Sequence, residues 1–122
     1  MIDGPGFDKN FAVLESLMTL SANKQKVIAN NISNVSTPGF RRKELVFEEV
    51  LQNAVENNEM DNIRNIQGVV KESNDPTTRN DGNNVNIDKE MGLQDRNALA
   101  YSLYTELYAK KAEMLRLAMR TT

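Results

Sequence analysis

Each end of this 122-residue chain carries a heptad seam, and two such seams are most simply buried by folding one helix back along the other. In the first, Phe7, Phe11, Leu14, Met18, Ser21, Gln25, Ile28, Ile32 and Val35 follow in alternating steps of four and three. Seven of these nine are apolar, with Ser21 and Gln25 as polar positions in the middle. The spacing predicts a helix over 1–36, with Asp8 suited to cap its start and Pro38 to end it. The last segment repeats the pattern through Met91, Gln94, Ala98, Tyr101, Thr105, Tyr108, Ala112, Leu115 and Met119, which predicts a helix over 85–122 with Asp88 as its N-cap. A second line runs beside it through Leu93, Ala100, Leu103, Tyr104, Leu107, Met114 and Ala118. Two lines are more than one partner helix covers, so part of this surface is expected to meet another chain.

The stretch between the seams, 37–84, is different in kind. Hydrophobic residues make up 39% of the chain, and sixteen asparagines, most of them between 53 and 97, account for the modest figure. "FEEVLQNAVE" (47–56) has the spacing of a short amphipathic helix through Phe47, Val50, Leu51 and Val55, and "NIQGVV" (65–70) reads as a brief strand. "SNDPTTRNDGNN" (73–84) is loop by composition and is expected to tolerate small deletions. The predicted fold is therefore mainly α and a single domain. Its long terminal helices pack as an antiparallel coiled-coil pair around an irregular middle with a short helix and a short β segment.

The composition also removes most chemistry. There is no histidine and no cysteine, hence no usual general base, no thiol nucleophile and none of the common zinc sets. Aligning Gly82 with the glycine of a calcium-binding loop puts Arg79 in the ligand ring, which disqualifies it. Fifteen basic and seventeen acidic residues leave a net charge of −2, a poor match for nucleic acid. No apolar run approaches the ~20 residues that span a bilayer, and no basic start followed by an apolar run marks a cleaved export signal. Catalytic, cofactor and metal residues are expected to be none, and the chain is not expected to be an enzyme.

What remains is "ANNISNVSTPGF" (29–40), where three asparagines and a Thr-Pro-Gly-Phe turn follow the first seam. Gly39 suits the third position of a type II turn, which requires positive φ. Asn23, Asn30 and Asn34 fall at i, i+7 and i+11, on one helix face beside the seam. Buried asparagines fix register in coiled coils, and a neighbouring chain is expected to satisfy these amides.

The segment "NKQKVIANNISNVSTPGF" (23–40) resembles the N-terminal signature of bacterial flagellar axial proteins, the rod, hook and hook-associated subunits. The stretch "DGNNVNIDKEMGLQDRNALAYSLYTELYAKKAEMLRLAM" (81–119) resembles the C-terminal half of proximal rod proteins of the B type. Phe40 stands where tyrosine is frequent in the family. The resemblance implies a structural subunit of the basal body's proximal rod, self-assembling through its terminal helices into a torque-transmitting drive shaft. Its implied partners are copies of itself, other proximal rod proteins, the adaptor between rod and membrane ring, and the flagellar type III export apparatus. It also implies a periplasmic place in the rod, reached without cleavage of a signal, with no nucleic acid bound and no direct membrane insertion. The expected assembly interface comprises Asn23, Ile28, Asn30, Asn31, Ile32, Asn34, Thr37, Pro38, Gly39 and Phe40, with Leu103, Leu107, Met114 and Leu115 from the other end. A small helical adaptor or secretion chaperone would use the same amphipathic ends, but has no evident use for the TPGF turn.

Overall fold

A computed structural model describes the backbone of residues 5–77 and 79–120, with side chains from Lys9 onward. Phe7 of the first seam and the expected Asp8 cap therefore lie outside the described side chains. Helix α1 spans Pro5–Ser33, β1 Lys43–Val46, α2 Glu48–Glu56, α3 Met60–Arg64, β2 Val69–Glu72 and α4 Ile87–Arg120. At 1.5 Å per residue, α4 is roughly 50 Å long. No helix among the described residues is long and apolar enough to cross a membrane.

The two long helices run antiparallel in constant register. Asn31 meets Glu90, Ser21 meets Asn97, and Phe11 and Glu15 meet Tyr108, so each step down α1 is matched by a step up α4. Leu14 and Ile28 are buried on the expected seam, and the Phe11 and Tyr108 rings pack edge to face with centroids 5.1 Å apart. The two polar seam positions have a partner. Buried Asn97 donates to the Ser21 carbonyl at 2.8 Å and to Gln25 Oε1 at 3.1 Å. An amide in an apolar seam fixes register at some cost in stability. Asn97→Leu is accordingly expected to keep or raise Tm while adding a second set of amide resonances from a slipped pairing. A single, wild-type-like spectrum would show that Asn97 does not set register.

Both helix ends differ from expectation. α1 stops at Ser33, ahead of Pro38, because Ser33 Oγ and Asn34 Nδ2 turn back onto the carbonyls of Ala29 and Asn30 at 2.9 and 2.8 Å. The N-cap of α4 is Asn86, not Asp88. Its Oδ1 accepts from the backbone N–H of Asp88 at 3.0 Å and of Lys89 at 3.2 Å, the second and third helical positions.

The middle is more regular than its composition suggests. β1 and β2 pair antiparallel, Lys43 opposite Glu72 through Val46 opposite Val69. The strand falls at 69–72 instead of 65–70, because Gly68 takes φ +74° and turns the chain just before it. A Cβ at Gly68 would also stand 3.0 Å from Leu45 Cδ1 and 3.3 Å from the Val46 carbonyl oxygen, a tight fit on top of the positive φ. Leu45, Leu51, Ala54, Ile63 and Ile66 of this segment bury Ala12 and Leu20 on a second face of α1, with Val13 and Leu17 beside them. Ser16 Oγ donates to the Ile63 carbonyl and ties α3 down. α1 is thus covered on one side by α4 and on another by the middle segment.

Candidate assembly surface

The chain turns from α1 into β1 through a junction built almost wholly of polar side chains. Arg42 is 1% exposed and Glu90 wholly buried, the largest buried charges among the described residues. Arg42 Nε donates to Glu90 Oε1 at 2.5 Å, and its Nη1 reaches Glu44 and, at 3.2 Å, Asp75 Oδ2. Burial alone would lower the Arg42 pKa, but hydrogen bonds to Glu44 and Glu90 outweigh it and raise the value above its ordinary one. Asn31 Nδ2 donates to the other Glu90 oxygen at 3.2 Å and to the Lys43 carbonyl at 2.9 Å, while its Oδ1 accepts the Lys43 N–H at 2.9 Å. Asn31 therefore pairs with Lys43 as a neighbouring strand would.

Two loop asparagines complete the junction. Asn84 Oδ1 accepts the Arg42 N–H at 2.6 Å, and its Nδ2 donates to the Ser73 and Asp75 carbonyls at 3.3 and 3.1 Å. Asn83 Nδ2 points at the end of α1, within 2.8 Å of the Asn34 and Thr37 carbonyls and 3.2 Å of that of Val35. It answers the carbonyls that a helix end leaves without intrahelical donors. The TPGF turn forms as expected: the Phe40 N–H donates to the Thr37 carbonyl at 3.2 Å, with Gly39 at φ +74°. The Gly39 N–H also donates to the Asp81 carbonyl at 2.7 Å, which locks turn and loop together. Among the described residues no buried side-chain nitrogen or oxygen lacks a partner.

The expected interface residues divide into two groups. Asn31 and Ile28 are buried inside the subunit, and Asn31, 0% exposed, makes three hydrogen bonds there, two with the Lys43 backbone and one with Glu90. Asn34 is partly spent in the same way, on Asn30 and Thr37. Asn23, Ile32 and Phe40 are half-buried, whereas Asn30, Thr37, Pro38 and Gly39 lie exposed at one end of the molecule. On α4 the second line is split: Leu93, Ala100, Tyr104 and Ala118 are half-buried, whereas Leu103 is 53%, Leu107 41% and Met114 63% exposed. Leu99 at 73% and Leu117 at 48% extend it, and Leu115 is half-buried. Leu99, Leu103 and Leu107 recur at i, i+4 and i+8, a spacing readable in the sequence that marks a stripe turned from α1.

Residues 12–41 match the family described as flagella basal body rod protein. That stretch runs from the core face of α1 through Asn31 and the TPGF turn. Over 104 residues the chain is 36% identical to the flagellar basal body rod protein FlgB of Borrelia hermsii, spanning 70% of this chain and 77% of that one. It is 32% identical to the FlgB protein of Bacillus subtilis (strain 168), spanning 76% and 79%. The chain belongs to the FlgB family of flagellar basal body rod proteins. A match to the FlgB protein of Aeromonas hydrophila, 25% identical, spans 93% of this chain and 95% of that one, and so includes the middle segment as well as the two ends.

In this FlgB-family subunit the junction also carries a pH signature. Asp75 is held below its ordinary pKa of 3.8, chiefly by a hydrogen bond from Lys89. A carboxylate whose pKa falls on folding adds stability that is full above its unfolded pKa and is lost as pH drops through the folded value. The Tm gap between wild type and Asp75→Asn should hold from neutral pH down to about 4 and close below it. A gap independent of pH across this range would mean that the Asp75 charge contributes nothing.

Proposed function

We propose that this structural subunit of the flagellar basal body rod builds the proximal rod by packing its two long helices against neighbouring subunits. The leucine stripe on α4 carries this reading. A row of exposed large apolar side chains, Leu99, Leu103, Leu107, Met114 and Leu117, on a 34-residue helix is a surface made to be covered. Asn30, Thr37, Pro38 and Gly39 offer a second contact, at the end where α1 turns into the TPGF loop. Copies of the chain, other proximal rod proteins and the adaptor to the membrane ring are its neighbours, after export through the flagellar type III apparatus. A rigid junction between α1, β1 and α4 suits a part that carries torque. Membership of a rod-protein family does not favour the adaptor or chaperone reading.

The test uses Leu107→Glu. In the exported monomer the carboxylate is solvated and nearly harmless, whereas in the rod it would be buried without a partner. Secretion should stay at the wild-type level and the basal-body-bound fraction should fall by at least about tenfold, since each 1.4 kcal/mol is tenfold in affinity. Leu115→Glu should instead lower the Tm of the monomer, because that side chain is half-buried beside α1. Normal incorporation of Leu107→Glu would mean that the stripe faces solvent in the rod.

A further inference from the structure

We propose that Met114 is an oxidation site through which a peroxide switches off the apolar row of α4, so that a subunit oxidised before assembly is kept out of the rod. The inference rests on the rod-subunit reading and concerns the regulation of that same surface. The chain has no cysteine, so the thioethers of methionine are its only sulfur, and thioethers take oxygen from peroxides. Met18 and Met60 are half-buried, Met60 against the core cluster, whereas Met91, Met114 and Met119 are exposed on α4. Their places on the helix differ. At about 100° per residue, Met114 falls about 20° from Leu107, inside the row and one turn before Leu117. Met91 falls about 120° from Leu103, and Met119 about 160°, on the side where Tyr108 meets Phe11. Of the exposed three, only Met114 belongs to the row. Leucine would pack there as well, since Leu and Met exchange at little cost. What methionine adds is a sulfur open to oxidants in water.

The chemistry is a two-electron oxygen transfer. The Met114 Sδ lone pair attacks one oxygen of the peroxide, the O–O bond breaks, an S–O bond forms and water leaves. Sulfur loses two electrons and the peroxide gains them, so no other reactant is needed. The product is a polar, chiral sulfoxide in place of a flexible apolar side chain. In the free subunit its oxygen is hydrated, and the fold is spared because the side chain lies outside the core. On assembly the same oxygen is buried among leucines without a donor, a milder form of the penalty argued for Leu107→Glu. Once the row is covered, the sulfur is shielded, so the sensitivity belongs to the subunit before it is incorporated. Methionine sulfoxide reductases return the thioether, which makes the block reversible.

Cleavage after Lys89, Arg96, Lys111, Arg116 and Arg120 puts Met91, Met114 and Met119 on separate peptides, so each can be followed by mass. Wild type and Met114→Leu would be expressed in the same cells, with hydrogen peroxide as the probe, and counted in secreted protein and in isolated basal bodies. Without peroxide the two chains should enter rods equally. With peroxide the rod-bound share of wild type should fall, by about tenfold where Met114 is mostly oxidised, while secretion of both stays level. An unchanged ratio overturns the proposal, as does Met114 sulfoxide at the same level in rod-bound and secreted wild type. Met119→Leu in the same experiment should give no protection; protection by it would move the site off the row and overturn the assignment. Met114→Gln, polar and of similar length, asks the question without oxidant: about tenfold exclusion is expected, and normal incorporation overturns the switch. Leu107→Glu run in parallel separates the two readings. Its exclusion beside normal entry of Met114→Gln removes only the switch, whereas normal entry of both variants removes the assembly face as well.

Discussion

Glu90→Ala should lower the stability of the subunit by about 3–5 kcal/mol, the range for removing one partner of a buried ion pair. In a chain of this size that is a fall in Tm of roughly 10–25 °C. The cost arises from what is left behind: Arg42 keeps Glu44 and Asp75, which reach only Nη1, and its Nε loses its acceptor in a site with almost no access to water. Asn31 Nδ2 loses one of its two acceptors at the same time. Replacing both charges, in Arg42→Met with Glu90→Leu, removes the uncompensated group and should destabilise by clearly less than the sum of Arg42→Met and Glu90→Leu made singly. Urea unfolding of the single and double variants measures that coupling. Simple additivity would mean that the two side chains act independently and that the pair does not tie α4 to the start of β1.

The parts of the fold that were legible in the sequence are the ones whose information is local. Heptad spacing placed both long helices and their pairing, and Gly39 with Pro38 gave the turn after α1. The resemblance carried by "NKQKVIANNISNVSTPGF" points to a flagellar axial protein, and that of 81–119 narrows it to the rod. The polar junction was not legible, for a physical reason. Arg42 sits in "RRK" and Glu90 in "DKEM", runs that look like solvated surface, and their burial exists only once residues 48 apart in sequence have met. The asparagines misled in the same way. Sequence reasoning reserved the amides of Asn23, Asn30, Asn31 and Asn34 for a neighbouring chain and gave none to Asn83, Asn84 or Asn97, yet Asn31, Asn83, Asn84 and Asn97 each use an amide as a substitute peptide group toward irregular backbone or across the helix seam. An amide offers a donor and an acceptor together, so it completes backbone that has no strand or helix beside it. The exposed leucine stripe was partly legible: Leu103, Leu107 and Met114 were placed on it, while Leu99 and Leu117 needed the structure to show which side of α4 lies open.

Asn83→Asp should be more damaging than Asn83→Ala, although aspartate is the closer match in shape. The alanine variant loses the donor to the carbonyls of Asn34, Val35 and Thr37 and the acceptor for the Val85 N–H at 2.7 Å. A cost of about 2–3 kcal/mol follows from leaving such groups unpaired in a buried site. Aspartate keeps the acceptor but turns a carboxylate oxygen on the three carbonyls, so repulsion and desolvation of the charge add to the lost bonds. The same geometry argues against the expectation that 73–84 tolerates small deletions. Thr77 Oγ1 donates to the Asn83 carbonyl at 2.6 Å and accepts the Arg79 N–H at 3.1 Å, and the Gly82 N–H reaches the Arg79 carbonyl at 3.4 Å. Removing 77–79 would pull Asn83 off the end of α1 and Asp81 off Gly39. The deletion should therefore match or exceed the loss seen for Asn83→Ala in thermal unfolding and reduce motility, rather than pass unnoticed. If Asn83→Asp melts with the wild type, the amide is not the donor that ends α1, and the loop holds the turn by its backbone alone.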